Sequence, residues 1–231
     1  MCVNFRTTNQ PLISTEKMSQ QKVDFKILEL MASKICHDLI SPVGAVANGV
    51  EFLEEMGPDA GEEVTGLISY SAGQASAKLQ AMRMAYGAGG ADSSIKLETV
   101  HEIFGDFIGG DKKISQEWDP YAPLGPEERP TGFSKILMNV LLLACEGLPK
   151  GGLIRVQNGD NGEVLVIATG ENAGLRDGVS DALAGDTRIE DMEPRLVHAW
   201  LTGNVSREYR MDVTAGRMQE NSVLLRISPV M

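Results

Sequence analysis

Two apolar stripes at helical spacing occupy the N-terminal part of the chain and constrain its fold more than any other feature. Their members recur every three or four residues, which keeps each stripe on one side of a helix. Gly57-Pro58-Asp59 separates the stripes and predicts a turn, so we expect an antiparallel helical hairpin over residues 22–88. One hairpin buries its stripes only in part, and a second copy in a homodimer would complete a four-helix bundle. The first stripe comprises Leu28, Ala32, Ile35, Leu39, Val43, Val46, Val50 and Leu53, and the second comprises Val64, Ile68, Ala72, Ala75, Leu79, Met82 and Tyr86.

The sequence outside the hairpin divides into three further parts. Residues 1–21 lack periodicity and are interpreted as a flexible leader. Residues 89–95 belong to a stretch of small residues and are interpreted as a linker. Residues 96–231 alternate between helix and strand patterns and include two hairpin-like strand pairs. They predict an antiparallel or mixed sheet with helices on one face, which is an α/β sandwich.

Charge and composition exclude several classes of function. The net charge of −11 argues against a nucleic-acid binder, because phosphate contacts require clustered Lys and Arg. No apolar run approaches the roughly 20 residues that span a bilayer. Cys2, Cys36 and Cys145 lack metal-ligand spacing, so we expect reduced thiols in a cytoplasmic protein without a metal site. We expect Cys36 to be a small core residue, and His101 and His198 to be structural.

His37 is the candidate for chemistry. At about 100° per residue it lies about 200° around the helix from Ile35 and from Leu39, so it points away from the apolar stripe. Pro42 lies within the same helical pattern, where a proline removes a backbone hydrogen bond at a cost of about 3 kcal/mol. Such strain beside an exposed imidazole favours a functional role. The alternative is a surface histidine on a proline-kinked helix.

The segment His37-Asp38-Leu39-Ile40-Ser41-Pro42 resembles the phosphoacceptor motif of two-component histidine kinases, although Ile40 stands where that motif often has a basic residue. The resemblance implies that His37 accepts a phosphoryl group and that Asp38 orients the ring and accepts its other proton. Lys34 and Arg83 are candidates for screening the phosphate, or are surface cations, and Ser41 is a candidate for a hydrogen bond to a helix carbonyl. The small or polar residues around His37 that would admit a docking partner are Ser33, Gly44, Ala47 and Asn48.

The following part resembles the ATP-binding domain of those kinases, in a degenerate form. Asn139 matches the first of two asparagines four residues apart, but Leu143 replaces the second and offers no oxygen to magnesium. The next motif corresponds to Ala168-Thr169-Gly170-Glu171-Asn172, in which Ala168 replaces the aspartate that recognises adenine. The phosphate loop keeps a single glycine, Gly216. The resemblance therefore implies a Bergerat-type α/β sandwich that has lost its nucleotide site.

A phosphoacceptor hairpin followed by a degenerate kinase domain is similar to the ChpT-type histidine phosphotransferases, over about residues 22–231. This resemblance implies that His37 receives a phosphoryl group from the receiver domain of a CckA-like hybrid kinase. It also implies onward transfer to CtrA-like and CpdR-like response regulators that control the cell cycle. The receiver domain would supply the magnesium ion, and this chain would need no cofactor. Three alternatives remain: an active ATP-dependent histidine kinase, a non-catalytic dimeric adaptor that binds receivers, and a receiver phosphatase.

Overall fold

The computed structural model describes residues 24–57, 61–110 and 113–230. The predicted leader, residues 1–21, and the Pro58-Asp59 part of the predicted turn lie outside the described residues. Six α-helices and five strands are assigned within these ranges: α1 Phe25–Met56, α2 Gly61–Tyr86, α3 Leu97–Gly109, β1 Ile114–Glu117, α4 Phe133–Glu146, β2 Gly152–Asn158, β3 Val164–Thr169, α5 Val179–Ala184, α6 Val197–Glu208, β4 Met211–Gly216 and β5 Ser222–Pro229.

Helices α1 and α2 pack against each other and form the hairpin that the periodicity predicts. The side chain of Asp24 caps α1 by accepting a hydrogen bond from the amide of Lys26 at 2.8 Å. The two helices approach closely at Gly49, where an added Cβ would lie 2.5 Å from the Cγ1 atom of Ile68. Gly49 therefore lets the helix backbones approach each other at this level.

The first apolar stripe does not coincide with the buried face of α1. The fully buried residues of this helix are Ile27, Met31, Pro42 and Gly49, and none of these belongs to the stripe. Val43 and Val50, members of the stripe, are 54% and 42% exposed. The stripe is therefore only partly covered within one chain, and Gly49 of α1 lies against Ile68 of α2.

The strands form one mixed sheet in the order β1-β2-β3-β5-β4. Strand β1 pairs in parallel with β2, and all the other neighbouring pairs are antiparallel. Helices α4, α5 and α6 contact strands of this sheet, and residues along β3 alternate between buried and half-buried. This arrangement confirms the predicted sheet with helices packed against it, preceded by a helical N-terminal part.

Helix α4 forms the centre of the core. Every residue from Phe133 to Ala144 is buried, as expected for a helix that contacts the sheet, α2, α3 and α6. The hairpin rests on this layer through contacts of α2 with α3 and α4, and of α1 with α6. The hairpin is therefore held against the sandwich along both of its helices.

The predicted linker is packed. Its first residues belong to a short 3₁₀ helix, Ala88–Ala91, in which Gly90 is buried. An added Cβ at Gly90 would lie 1.8 Å from the carbonyl oxygen of Met84, so no larger residue fits. The hydroxyl of Ser134 donates to the carbonyl of Ile95 at 3.0 Å. The composition indicated flexibility, but hydrogen bonding to α4 fixes this segment.

Candidate functional site

His37 lies near the middle of α1 with its imidazole in solvent. Its side chain is 89% exposed, which agrees with the prediction that it points away from the apolar stripe. Ile40, one turn later on the same side of α1, is 69% exposed as well. A partner can therefore reach both faces of the ring.

Asp38 contacts this ring. Its Oδ1 atom lies 3.3 Å from Nδ1 of His37. A carboxylate only accepts hydrogen bonds, so this contact favours the neutral tautomer with the proton on Nδ1. Nε2 then carries a lone pair and faces away from Asp38. The arrangement presents a nucleophilic nitrogen to solvent.

Pro42 and Lys78 act on the backbone of the same aspartate. Pro42 is buried inside α1 and has no amide hydrogen for the carbonyl of Asp38, four residues earlier. Nζ of Lys78, on α2, donates to that carbonyl at 3.0 Å. The hairpin partner therefore supplies the donor that the proline lacks.

The predicted docking residues line an accessible face of α1. Ser33, Ala47 and Asn48 are exposed, and Gly44 is half-buried with nothing within 4 Å of an added Cβ. Ser41 is exposed as well. The helix next to His37 therefore presents small side chains and open space.

The other predicted supporting residues lie elsewhere. Arg83 is exposed and lines a groove between α1 and α2 together with Val43 and Leu79. Cys36 is exposed, so its prediction as a core residue is wrong. Cys36 directly precedes His37 and lies on a solvent-exposed part of α1.

Lys34 joins a polar cluster between the hairpin and the sandwich. Its Nζ lies 2.9 Å from Oε1 of Glu146, and Nδ1 of His198 lies 2.9 Å from the same oxygen. His198 is buried and also meets the ring of Tyr86 edge to face. These groups line a cleft of about 410 Å³ that Asp38 and Lys78 also border. Lys34 is thus held by Glu146, one helical turn from His37.

The cluster changes the acidity of two of its members. Burial alone would raise the pKa of Glu146, but the hydrogen bond and charge of His198 and the ammonium of Lys34 lower it from its ordinary 4.5 to about 2. Burial raises the pKa of Tyr86 above its ordinary value, and the negative charges of Glu146 and Asp38 raise it further. Glu146 is therefore ionised at neutral pH.

We expect Glu146→Gln to destabilise the protein at pH 7 and to lose this effect in acid. A carboxyl whose pKa is lowered in the folded state stabilises it above the ordinary value of 4.5, and this contribution disappears as the pH falls towards 2. Because the side chain is 33% exposed, solvent screening reduces the effect to about 1–2 kcal/mol. Urea unfolding at several pH values measures it.

Glu171→Gln is the matched control for this experiment. Glu171 pairs with Lys150 on the surface, where its side chain is 69% exposed, so we expect little change in the free energy of unfolding at any pH. A Glu146→Gln deficit that is the same at pH 7 and near pH 2 would contradict the role of the carboxylate charge.

Asn139 and Lys135 hold the end of the hairpin. Nδ2 of Asn139 donates to the carbonyls of Ala85 at 2.7 Å and of Lys135 at 2.9 Å. Nζ of Lys135 donates to the carbonyl of Gly87 at 2.8 Å. The last carbonyls of a helix lack intrahelical partners and attract cations, so α4 caps the C-terminus of α2. Burial lowers the pKa of Lys135.

The remaining residues of the predicted degenerate nucleotide site are packed against protein. Leu143 and Ala168 are 1% and 0% exposed and belong to the core. Gly170 lies so close to Gly151 that an added Cβ would be 2.2 Å from the carbonyl oxygen of that residue. Apolar packing occupies the positions where the kinase motif has oxygen ligands.

Lys78 and Glu146 were missed by sequence reasoning. One feature of the sequence could have indicated the role of Lys78. A proline inside a helix leaves the carbonyl four residues earlier without its backbone donor. A lysine at the same level of the neighbouring helix can donate to that carbonyl. Glu146 had no such indication, because its partners lie 112 and 52 residues away. Within residues 24–57, 61–110 and 113–230, no three His, Cys, Asp or Glu side chains are grouped to hold a metal ion.

The overall fold, a helical hairpin packed on a mixed sheet with helices, is that of a solved phosphotransferase. The chain is similar to a solved structure described as a bacterial phosphotransferase, with a TM-score of 0.69 and 26% identity. That similarity covers 88% of this chain and 96% of the other. None of the described helices is both long and apolar enough to span a bilayer.

The family follows from the C-terminal part. Residues 97–221, more than half of the chain, match the family described as the histidine phosphotransferase C-terminal domain. The chain therefore belongs to the histidine phosphotransferase family. It is also 37% identical over 142 residues to the protein phosphotransferase ChpT of Brucella abortus (strain 2308). That alignment covers 60% of this chain and 64% of the relative, which is less than two thirds of the relative's length.

Proposed function

We propose that this chain relays a phosphoryl group between receiver domains through His37. The observation that carries the proposal is the 89% exposed imidazole, whose Nδ1 is engaged by Asp38. Membership of the histidine phosphotransferase family supports the same function. The core positions of Leu143 and Ala168 favour a protein that takes its phosphoryl group from another protein and not from ATP.

The transfer is an in-line displacement. The Nε2 lone pair of His37 attacks the phosphorus of a receiver aspartyl phosphate, and the bond between phosphorus and the carboxylate oxygen breaks. The ring gains positive charge as the new P–N bond forms, and the carboxylate of Asp38 offsets this charge through the Nδ1 proton. The receiver keeps the carboxylate as leaving group and brings its own magnesium ion. Reversal of the step on a second receiver returns His37 to its starting state.

The donor and acceptors are inferred from the resemblance to the ChpT-type phosphotransferases, which the similarity to the relative named ChpT supports. The donor is the receiver domain of a CckA-like hybrid kinase, and the acceptors are CtrA-like and CpdR-like response regulators of the cell cycle. A cytoplasmic location is part of this proposal. The receiver docks beside His37 on the small residues of α1, namely Ser33, Gly44, Ala47 and Asn48, with Ser41 and Pro42 in the same turns.

The proposal includes a homodimer, in which the hairpins of two chains form a four-helix bundle. The groove between α1 and α2 is lined by apolar side chains, among them Val43 and Leu79, which are 54% and 50% exposed. Four-helix bundles bury such stripes between two hairpins. Analytical ultracentrifugation is expected to give twice the mass of one chain. A single-chain mass at micromolar concentration would contradict the dimer.

Labelling tests the relay. A receiver domain that carries ³²P-labelled aspartyl phosphate is mixed with this chain in the absence of ATP. We expect label to appear on the chain in an acid-labile, base-stable form, as a phosphoramidate requires, and then to pass to a second receiver. A chain that binds the receiver without acquiring label would be an adaptor. Loss of label to inorganic phosphate, with no labelled chain, would indicate a phosphatase.

A further inference from the structure

The contact between Lys78 and Asp38 replaces a backbone hydrogen bond. In an α-helix the amide of residue 42 donates to the carbonyl of residue 38, but residue 42 is a proline. Nζ of Lys78 lies 3.0 Å from this carbonyl oxygen. The lysine therefore occupies the place of the missing donor.

The same aspartate carries the contact to the imidazole. The Asp38 carboxylate lies 3.3 Å from Nδ1 of His37, while the Asp38 carbonyl receives the bond from Lys78. Lys78 is half-buried and borders the cleft between hairpin and sandwich, where water competes less for the carbonyl than at an exposed site. One residue thus connects the ammonium on α2 to the imidazole on α1.

We propose that Lys78 is a positioning residue for phosphoryl transfer at His37. It does not touch the phosphoryl group; it holds the backbone of Asp38, and Asp38 holds the tautomer of the ring. This inference rests on the proposed function, and it explains why α1 tolerates a buried proline one turn after His37. With the proline present, the position of the Asp38 carboxylate depends on a side chain from the neighbouring helix.

A double-mutant cycle tests this dependence. Pro42→Ala restores an amide that can donate to the Asp38 carbonyl, so the need for Lys78 disappears in that background. Lys78→Met is expected to slow labelling from a phosphorylated receiver by about tenfold or more with Pro42 present, because a charge-assisted bond is lost. In the Pro42→Ala background, the same change is expected to alter the rate by less than about twofold.

Lys26→Met is the matched control. Nζ of Lys26 also donates to a backbone carbonyl, that of Glu190, at 2.7 Å, but this carbonyl lies in a 3₁₀ segment, where no α-helical hydrogen bond is missing. We expect its effect on labelling to be the same in the natural and in the Pro42→Ala background. Lys78→Arg keeps a cationic donor and is expected to recover most of the rate that Lys78→Met loses.

A second readout does not depend on transfer. In ¹H–¹⁵N spectra, the two-bond couplings of a neutral imidazole show which ring nitrogen carries the proton. We expect the Nδ1–H tautomer of His37 in the natural protein, a shift towards the Nε2–H tautomer in Lys78→Met, and its reversal when Pro42→Ala is added. A lysine that only stabilised the fold would not change the tautomer of the folded protein.

The outcomes separate this inference from the proposed function. Three results would each overturn the positioning role of Lys78. Lys78→Met could slow labelling equally in the natural and the Pro42→Ala backgrounds. It could leave the labelling rate unchanged in the protein that keeps Pro42, or leave the tautomer of His37 unchanged. If the natural protein acquires no label, the relay fails, and the tautomer comparison alone decides whether Lys78 positions the ring.

Discussion

Replacement of His37 by alanine is expected to abolish labelling by a phosphorylated receiver. The imidazole of His37 is 89% exposed, and the proposed relay uses one of its ring nitrogens as the nucleophile. Removal of an 89% exposed side chain costs little stability, within about 0.5 kcal/mol. The loss of label therefore reports chemistry and not unfolding. Phosphorimaging after a short incubation with labelled receiver measures it.

His101→Gln is the control for this prediction. His101 lies on α3, where its ring contacts Trp118, and it has no part in the proposed transfer. We expect the glutamine variant to be labelled at the natural rate. Circular dichroism and sedimentation are expected to be unchanged for His37→Ala. Label that persists on the His37→Ala chain would show that a different residue accepts the phosphoryl group.

Local periodicity was sufficient to predict the hairpin, the outward direction of His37 and the order of the strands along the chain. These features depend on residues three or four positions apart, or on turns between neighbouring segments. The direction of His37 was accessible because every residue of a helix is fixed in angle relative to the next. The two strand pairs were recognisable because each depends on a short turn between neighbouring segments.

Contacts between distant segments were not accessible from the sequence. The periodicity identified an apolar stripe on α1, but not that Pro42 and Gly49 are buried while Val43 and Val50 are exposed. Lys34 was a candidate for screening the phosphate or a surface cation, and the structure shows its ion pair with Glu146, 112 residues away. Amino-acid type indicates that a lysine seeks an acceptor, and only the tertiary fold decides which acceptor is in reach.

Asn139 matches a residue of the kinase motif in position but makes structural hydrogen bonds in this chain. Its position matches an asparagine of the kinase motif, but its amide binds the carbonyl of Ala85 at the end of α2. Lys135, one turn earlier on α4, binds the carbonyl of Gly87. Residues four apart lie on the same face of a helix, so both polar groups of α4 point at the hairpin. The two bonds fix where the hairpin joins the sandwich.

We expect Asn139→Asp to be among the most destabilising single substitutions in this chain at neutral pH. The amide is 1% exposed and donates two hydrogen bonds to carbonyl oxygens, and a carboxylate at this position would donate none and would repel both acceptors. An uncompensated buried charge costs about 3–5 kcal/mol. Asn139→Leu, which loses the bonds without adding charge, is expected to cost about 1–3 kcal/mol. Urea denaturation at pH 7 compares the two variants.

The pH dependence separates charge from packing in this comparison. Burial beside carbonyl oxygens raises the pKa of an aspartate in the folded state, so the folded protein favours the protonated acid, which regains one donor to Ala85. A raised folded pKa means that the Asn139→Asp deficit is smallest in acid and grows as the pH rises through and above the ordinary range for aspartate, near 4. The Asn139→Leu deficit has no such dependence. If both variants lose the same stability at pH 4 and at pH 7, the amide is not the donor that caps α2, and the hairpin is held by apolar packing alone.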